Sequence, residues 1–390
     1  MQKRIAILKN TINLTRAKDW RLSFIPLIFG NLYLWLILFK ISFDFKILWI
    51  LFLSLTTSFG FAALGYFINE FFDKEDDFIA GKINKLQILD AYKQIILFVC
   101  ILLFTFIPWA FLPFNKISIV LITIQVLLFI IYASYPFRLK KNKYLSGIID
   151  SMYAYTIPLL LSYYTFYLVS RSDFFNPLIL FTYSLLLLIT GYRNITIHYI
   201  NDIFKDKRAG LITLPRHIGV KKTNSLLKIC LLLEAIILFI FIISLGQIQT
   251  SFYLLFFPFI YTLYKGLFQY FILKNKYIVS NFIRHIPDTF FQYYFPICVL
   301  LLLIVTNLRW AILLPIHLIL FVPNFRFQPL ISLWHRIHFR LYFNYIYYSY
   351  IRKTISRLIN YSIYFLFLFF KVDLKKRNIS AITYLKLKIK

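Results

Sequence analysis

Acidic residues are scarce in this chain of 390 residues: 15 Asp and Glu stand against 44 Lys and Arg, a formal charge of +29 at pH 7. All charged residues together make up 15% of the sequence, against about 25% in an average soluble domain. So little polar material cannot cover a water-soluble fold of this length, which excludes a string of soluble domains. Cysteine is nearly absent. Cys100, Cys230 and Cys298 each lie in an apolar run without paired spacing, which argues against a disulfide framework or a zinc site. There is no Gly/Ser linker, and with it no sign of a second soluble domain.

What fills the sequence is hydrocarbon and aromatic surface: 60% hydrophobic residues and 21% aromatics, including 45 Phe and 29 Tyr. About 20 mostly apolar residues cross a bilayer as a helix. Stretches of that kind occupy 22–40, 47–71, 93–113, 117–135, 147–169, 175–200, 224–245, 250–273 and 286–306, and 309–323 is a tenth crossing or a re-entrant piece. The expected fold is all-α, a polytopic bundle of nine or ten transmembrane helices. The first 20 residues are too broken by Lys9, Arg16 and Lys18 for a signal peptide and read as an amphipathic helix on the membrane. Beyond 323 the pattern changes to aromatics mixed with Arg and His, ending in KKRNISAITYLKLKIK. The expected division is a membrane domain over 1–323 and a basic, interfacial helical tail over 324–390, suited to anionic lipid.

Loop charge sets the orientation. With the N-terminus inside, the even loops collect Lys74, Lys82, Lys85, Arg138, Lys140, Lys141, Lys143, Lys205, Lys207 and Arg208, while the opposite face receives little. The positive-inside rule then makes the even loops cytoplasmic in a multi-pass cell (inner or plasma) membrane protein. Such a surplus of cations on a soluble protein would suggest nucleic acid; here it points to lipid headgroups or a phosphorylated ligand, with no nucleic-acid partner.

The few acids can be located one by one. Glu70, Asp73, Glu75, Asp76 and Asp77 crowd the end of the second span, and Asp202 and Asp206 the end of the sixth. Carboxylates near hydrocarbon are costly and mark function by default. The two segments also match: Asn69, Asp73, Asp77, Ala80 and Gly81 recur 129 positions later as His198, Asp202, Asp206, Ala209 and Gly210. A spacing of four places each polar trio on one helical face. Four spans separate the segments, so both acidic stripes reach the same side and can share a divalent cation. Oxygen ligands with at most one histidine favour Mg2+ over zinc or copper. Acidic residues that only cap and solvate helix ends would account for one such segment, but not for the repeated register. Lys82, Arg138, Lys140 and Arg208 surround the acids on that side, as a diphosphate would require.

At these residues the chain resembles the UbiA superfamily of intramembrane prenyltransferases. Asn69-x3-Asp73-x3-Asp77 matches the first Asn/Asp-rich motif of that family, and Asp202-x3-Asp206 followed by Lys207-Arg208-Ala209-Gly210 and Thr213-Leu214-Pro215 matches the second. Tyr132-Ala-Ser-Tyr-Pro-Phe-Arg138-Leu-Lys140 is similar to the stretch between its fourth and fifth helices, and Thr15-Arg16 with Trp20 to its first helix. The resemblance spans about residues 10–306. It implies nine helices around a cavity open to lipid, and Mg2+-dependent transfer of a prenyl chain from a prenyl diphosphate to a lipophilic, preferably aromatic, acceptor. It further implies Asn69, Asp73, Asp77, Asp202 and Asp206 as metal ligands, with His198 where the family has Asn or Asp. The diphosphate would fall to Asn69, Lys82, Arg138, Lys140 and Arg208, since Leu139 occupies the family's lysine position. Isoprenoid biosynthesis is the implied role.

Ionising an allylic diphosphate leaves a carbocation that must be kept from water and faced with π-systems. Tyr66, Phe67, Tyr153, Tyr155 and Tyr192 lie on the expected cavity helices. Asp150 in the fifth span has two open readings, contact with the acceptor or a side chain reaching for the loop. Glu234 and Asp288 are weaker cases, and His285, His317, His335 and His338 read as interfacial polar groups. The rival functions are a UbiA-type terpene cyclase, a CDP-alcohol phosphotransferase, whose Asp-Gly-x2-Ala-Arg element is missing, and a non-enzymatic lipid- or ion-binding protein.

Overall fold

In the computed structural model, described here for residues 24–81, 84–170, 176–273 and 287–321, helices carry the whole architecture and no strand occurs among the described residues. Among the described residues, six helices are long and apolar enough to cross a membrane: Phe45–Phe72, Ala91–Ala110, Lys116–Ala133, Pro177–Asn201, Val220–Ile248 and Pro287–Thr306. Shorter apolar helices cover Ile25–Leu38, Thr250–Tyr264 and Leu308–Leu320. Of the expected spans, those at 47–71, 93–113, 117–135, 175–200, 224–245 and 286–306 overlap the six long helices, and those at 22–40, 147–169, 250–273 and 309–323 overlap shorter helices. The N-terminal amphipathic helix, Lys82 and the basic tail lie outside the described residues.

The elements that position the site are α1 (Ile25–Leu38), α2 (Phe45–Phe72), α3 (Lys74–Ala80), α4 (Ala91–Phe106), α5 (Lys116–Ala133), α6 (Leu145–Ser151), α7 (Ile157–Ser170), α8 (Pro177–Asn201), α9 (Ile203–Arg208), α10 (Leu214–Ile218) and α11 (Val220–Ile248). α1 is apolar all round, and each of its residues is buried, as suits a helix at the centre of a bundle. It packs against Phe295–Thr306 and α7. Its Trp35 Nε1 donates to Ser162 Oγ at 2.9 Å. His317 joins this core: it is buried among Phe29, Tyr33 and Phe321, with Nδ1 3.4 Å from the Tyr33 hydroxyl. That corrects the interfacial expectation; the apolar helix Leu313–Leu320 folds the imidazole inward, where a tyrosine satisfies it.

α2 and α4 approach closely because Gly60 faces Thr105, where an added Cβ would lie 2.6 Å from the threonine Cα. Thr57 Oγ1 donates to the Thr105 carbonyl at 2.8 Å, and Trp109 Nε1 donates to Thr57 Oγ1 at 2.8 Å. Asp44, Asn115 and Asn176 cap the N-termini of α2, α5 and α8 with their side chains. Short connections make consecutive long helices antiparallel, so α2, α5 and α8 run in one sense. All three therefore deliver their C-terminal ends to one side of the bundle. There the orphan carbonyls and the negative end of each helix dipole favour cations.

Candidate active site

The two acidic segments adopt the same local structure. α2 stops at Asp73 (φ −96°, ψ 2°) and the chain resumes as α3; α8 stops at Asp202 (φ −97°, ψ 7°) and resumes as α9. These dihedrals lie in the sparsely populated bridge region, where many active-site residues sit. α3 ends on Gly81 at φ 67°, and the chain leaves α9 through Gly210 at φ 69°, left-handed positions that favour glycine. The sequence repeat is thus a repeat of backbone geometry. α3 and α9 pack against each other, which brings the two acidic motifs together.

The loop after α5 closes over the first motif. Arg138 is buried and holds a left-handed backbone at φ 39°, uncommon for a residue with a Cβ. Three bonds fix it: Nη2 lies 2.8 Å from Asp76 Oδ2 and 3.2 Å from Asp73 Oδ1, and donates to the Phe72 carbonyl at 3.1 Å. The last of these satisfies a carbonyl at the C-terminal end of α2. Its guanidinium also covers the Tyr135 ring at 4.7 Å. Lys140 contacts Asp73 and reaches Asn69 Oδ1 at 3.5 Å. Burial pushes the Lys140 ammonium down to about 7, with Lys141 adding repulsion. Lys141 itself stands 3.5 Å from Asp76.

Asp77 is held by Asn84, whose Nδ2 donates to Asp77 Oδ2 at 3.0 Å and to the Glu70 carbonyl at 2.7 Å. In the second motif, Asp202 meets Lys205 at 3.1 Å and His198 Nε2 at 3.6 Å. The His198 side chain is 59% exposed, at the margin of the site. Asp206 is buried, and Arg216 donates to its carbonyl at 3.1 Å. Arg208 is exposed at the end of α9.

Among the described residues, no three His, Cys, Asp or Glu side chains converge as a finished metal cage. Arg138, Lys140, Lys141 and Lys205 stand as counter-ions to the acids. The donor chemistry nevertheless fits a hard divalent ion: Asn69, Asp73, Asp77, Asp202 and Asp206 all carry oxygen, and the helices that bear Asp77 and Asp206, α3 and α9, adjoin.

Sequence reasoning counted Asp76 among the acids but gave no role to it or to Asn84, which hold Arg138 and Asp77. It also passed over a second repeat. Asp150-Ser-Met-Tyr-Ala-Tyr-Thr-Ile-Pro158 recurs 138 positions on as Asp288-Thr-Phe-Phe-Gln-Tyr-Tyr-Phe-Pro296. Both copies form a π-turn, at Met152–Thr156 and Phe290–Tyr294, in which the N–H of Ile157 or Phe295 reaches back five residues. The prolines explain the turns, since each removes an N–H and crowds the carbonyl four residues before it. The two Asp residues have different surroundings. Asp288 Oδ1 accepts from Arg193 Nη2 at 3.0 Å, and Arg193 Nε donates to Glu234 Oε1 at 2.7 Å, with the arginine fully buried. Asp150 turns inward to the Tyr153 hydroxyl rather than out to the loop.

No family model matches the sequence, and no curated protein does. Solved structures do. A UbiA homologue from Archaeoglobus fulgidus, bound to GPP and Mg2+, superposes with a TM-score of 0.53 at 14% identity, covering 75% of this chain and 99% of that one. The same homologue bound to DMAPP and Mg2+ gives 0.52 at 14% identity, over 75% and 99%. Digeranylgeranylglyceryl phosphate synthase gives 0.50 at 21% identity, over 77% and 99%. The fold of this chain is therefore that of the UbiA superfamily.

Proposed function

We propose that this protein transfers a prenyl chain from a prenyl diphosphate to a lipophilic acceptor within the membrane, releasing pyrophosphate in a Mg2+-dependent reaction. The observation that carries the reading is the packing of α3 on α9, two acidic helices of matched geometry with Arg138 and Lys140 drawn onto the first. The ligands that structural neighbours hold, GPP, DMAPP and Mg2+, support it as analogy.

Asn69, Asp73, Asp77, Asp202 and Asp206 would hold the metal, with His198 at the edge. Bound there, Mg2+ neutralises diphosphate charge and stabilises the leaving group. Arg138 and Lys140 would supply cations that the diphosphate meets, with Lys82 and Arg208 proposed as further diphosphate-binding residues. Arg138 is held in place by the acids before substrate arrives, so little reorganisation is needed at the moment of reaction. Tyr132, Tyr153 and Phe129 stack edge to face beneath, with ring centroids 5.0–5.3 Å apart, and present π-surface to a developing carbocation.

The full arrangement proposed is nine crossings in a membrane domain over 1–323, the site on the cytoplasmic face of the cell membrane, and a basic tail over 324–390 on anionic lipid. The test is purified protein in vesicles with GPP, DMAPP and longer prenyl diphosphates, Mg2+ and membrane extract, followed by mass spectrometry. A prenylated lipid with pyrophosphate release is expected. A cyclic hydrocarbon formed from the diphosphate alone would make the protein a cyclase, and no Mg2+-dependent release would overturn the reading.

A further inference from the structure

Alkylating a hydroxyl-bearing acceptor releases a proton as well as pyrophosphate. Asp150 is placed to take it up. It lies in α6, one turn before the π-turn at Met152–Thr156, and its Oδ1 accepts from the Tyr153 hydroxyl. No cation stands at ion-pair distance from it among the described residues, whereas its counterpart in the repeat, Asp288, is paired with Arg193. A carboxylate whose side-chain hydrogen bond is to one phenol keeps lone pairs open to a further donor.

The surroundings are built to hold it there. The π-turn sends the Ile157 N–H to Met152, which frees the Tyr153 carbonyl, and buried Gln125 donates to that carbonyl at 2.7 Å. The Tyr153 ring also packs on Tyr132 at 5.3 Å, and the Tyr132 hydroxyl lies 3.3 Å from that of Tyr199. Tyr199 precedes the motif residue Asp202 by three positions on α8. Through Tyr153, Tyr132 and Tyr199, Asp150 is linked to the helix that carries the second acidic motif. A π-turn inside a helix often marks a functional site.

Resting on the prenyl-transfer reading, we infer that Asp150 is a catalytic residue that takes the hydroxyl proton of the acceptor as the new bond forms. The allylic C–O bond breaks and its electron pair leaves with pyrophosphate. The acceptor oxygen supplies the pair for the new C–O bond, and its proton passes to the Asp150 carboxylate through the Tyr153 hydroxyl. The acceptor class is a hydroxyl-bearing lipid, alcohol or phenol.

The experiment uses the full chain in vesicles with radiolabelled GPP and Mg2+, with and without a total lipid extract as acceptor source. Pyrophosphate release and labelled lipid are measured separately. Asp150→Asn is expected to release pyrophosphate from GPP alone within about threefold of wild type, while labelled lipid falls about 100-fold or more, the range of general base catalysis. Tyr153→Phe, which keeps the ring and deletes the hydroxyl, lowers the ratio of transfer to release about tenfold. Asp288→Asn leaves the ratio of transfer to release unchanged. Undiminished transfer by Asp150→Asn, or an equal fall of release and transfer, overturns the assignment. Should Asp150→Asn fail to insert, an unchanged ratio in Tyr153→Phe overturns it equally. Wild-type protein that releases no pyrophosphate refutes the prenyl-transfer reading itself, a different result from either.

Discussion

Arg138 Nη2 sits 2.8 Å from Asp76 Oδ2, joining the loop after α5 to the first acidic helix across 62 residues of sequence. The same group reaches Asp73 and a carbonyl at the end of α2, so one guanidinium organises loop, helix end and acidic motif together. A lysine offers a point charge without that fork.

Arg138→Lys and Arg138→Gln are therefore both expected to impair turnover. Loss of a hydrogen bond to a charged group, about 1.5–3 kcal/mol, corresponds to roughly 10- to 100-fold in kcat/KM for the prenyl diphosphate. Steady-state pyrophosphate release across GPP concentrations checks this. Wild-type kcat/KM in Arg138→Gln would remove the arginine from the site.

Asp73→Ala and Asp202→Ala should each abolish Mg2+-dependent pyrophosphate release, by about a thousandfold if the metal supplies several kcal/mol of charge stabilisation. Both residues are partly accessible rather than core, and the variants should remain in membranes and elute as wild type from size exclusion. Full turnover by the double variant would refute the metal assignment.

The Arg193 group makes the opposite kind of prediction. Arg193→Leu leaves Glu234 and Asp288 buried without their cation, at a cost of about 3–5 kcal/mol. Thermal unfolding in detergent should fall well below wild type. Adding Glu234→Gln and Asp288→Asn should restore most of the loss, because the destabilisation comes from stranded charge. No recovery in the triple variant would show that the arginine packs rather than pairs.

Two glycines separate steric from conformational effects. A Cβ at Gly191 would lie 2.9 Å from the Ser151 Cα, so Gly191→Ala forces α8 away from α6 and should cost about 1–3 kcal/mol. Gly81 meets nothing within 4 Å but holds φ 67°, so Gly81→Ala should cost only about 1 kcal/mol, from backbone strain. Denaturation midpoints of the two variants give the comparison. Equal losses would mean that α8 can shift without penalty.

The acidic repeat is legible because residues four apart share a helical face, and the offset of 129 shows without any knowledge of packing. The helices themselves follow from apolar run length. The partners of Arg193 are not legible, since Glu234 and Asp288 lie 41 and 95 positions away and only the bundle brings them together. Nor is the bond from Asp76 to Arg138, in a cluster where each carboxylate looks alike on paper. The pairing of Asp150 with Asp288 lies between these cases. The pattern of Asp, aromatics and a closing proline is written in the sequence, but its meaning depends on a helix that adds one residue to its turn.

The buried arginine has a consequence for how the chain is made. As a spanning helix, α8 would enter the bilayer carrying Arg193 before either neutralising carboxylate has been synthesised, and a lone arginine at the centre of a spanning helix costs about 2.5–3.5 kcal/mol during insertion. Glu234 emerges 41 residues later and Asp288 95 residues later, some seconds apart at about 5–20 residues per second. For that interval the helix needs shelter in the insertion machinery or against its earlier neighbours. Biogenesis of this bundle therefore runs through a waiting stage that ends only as the last acidic partner arrives.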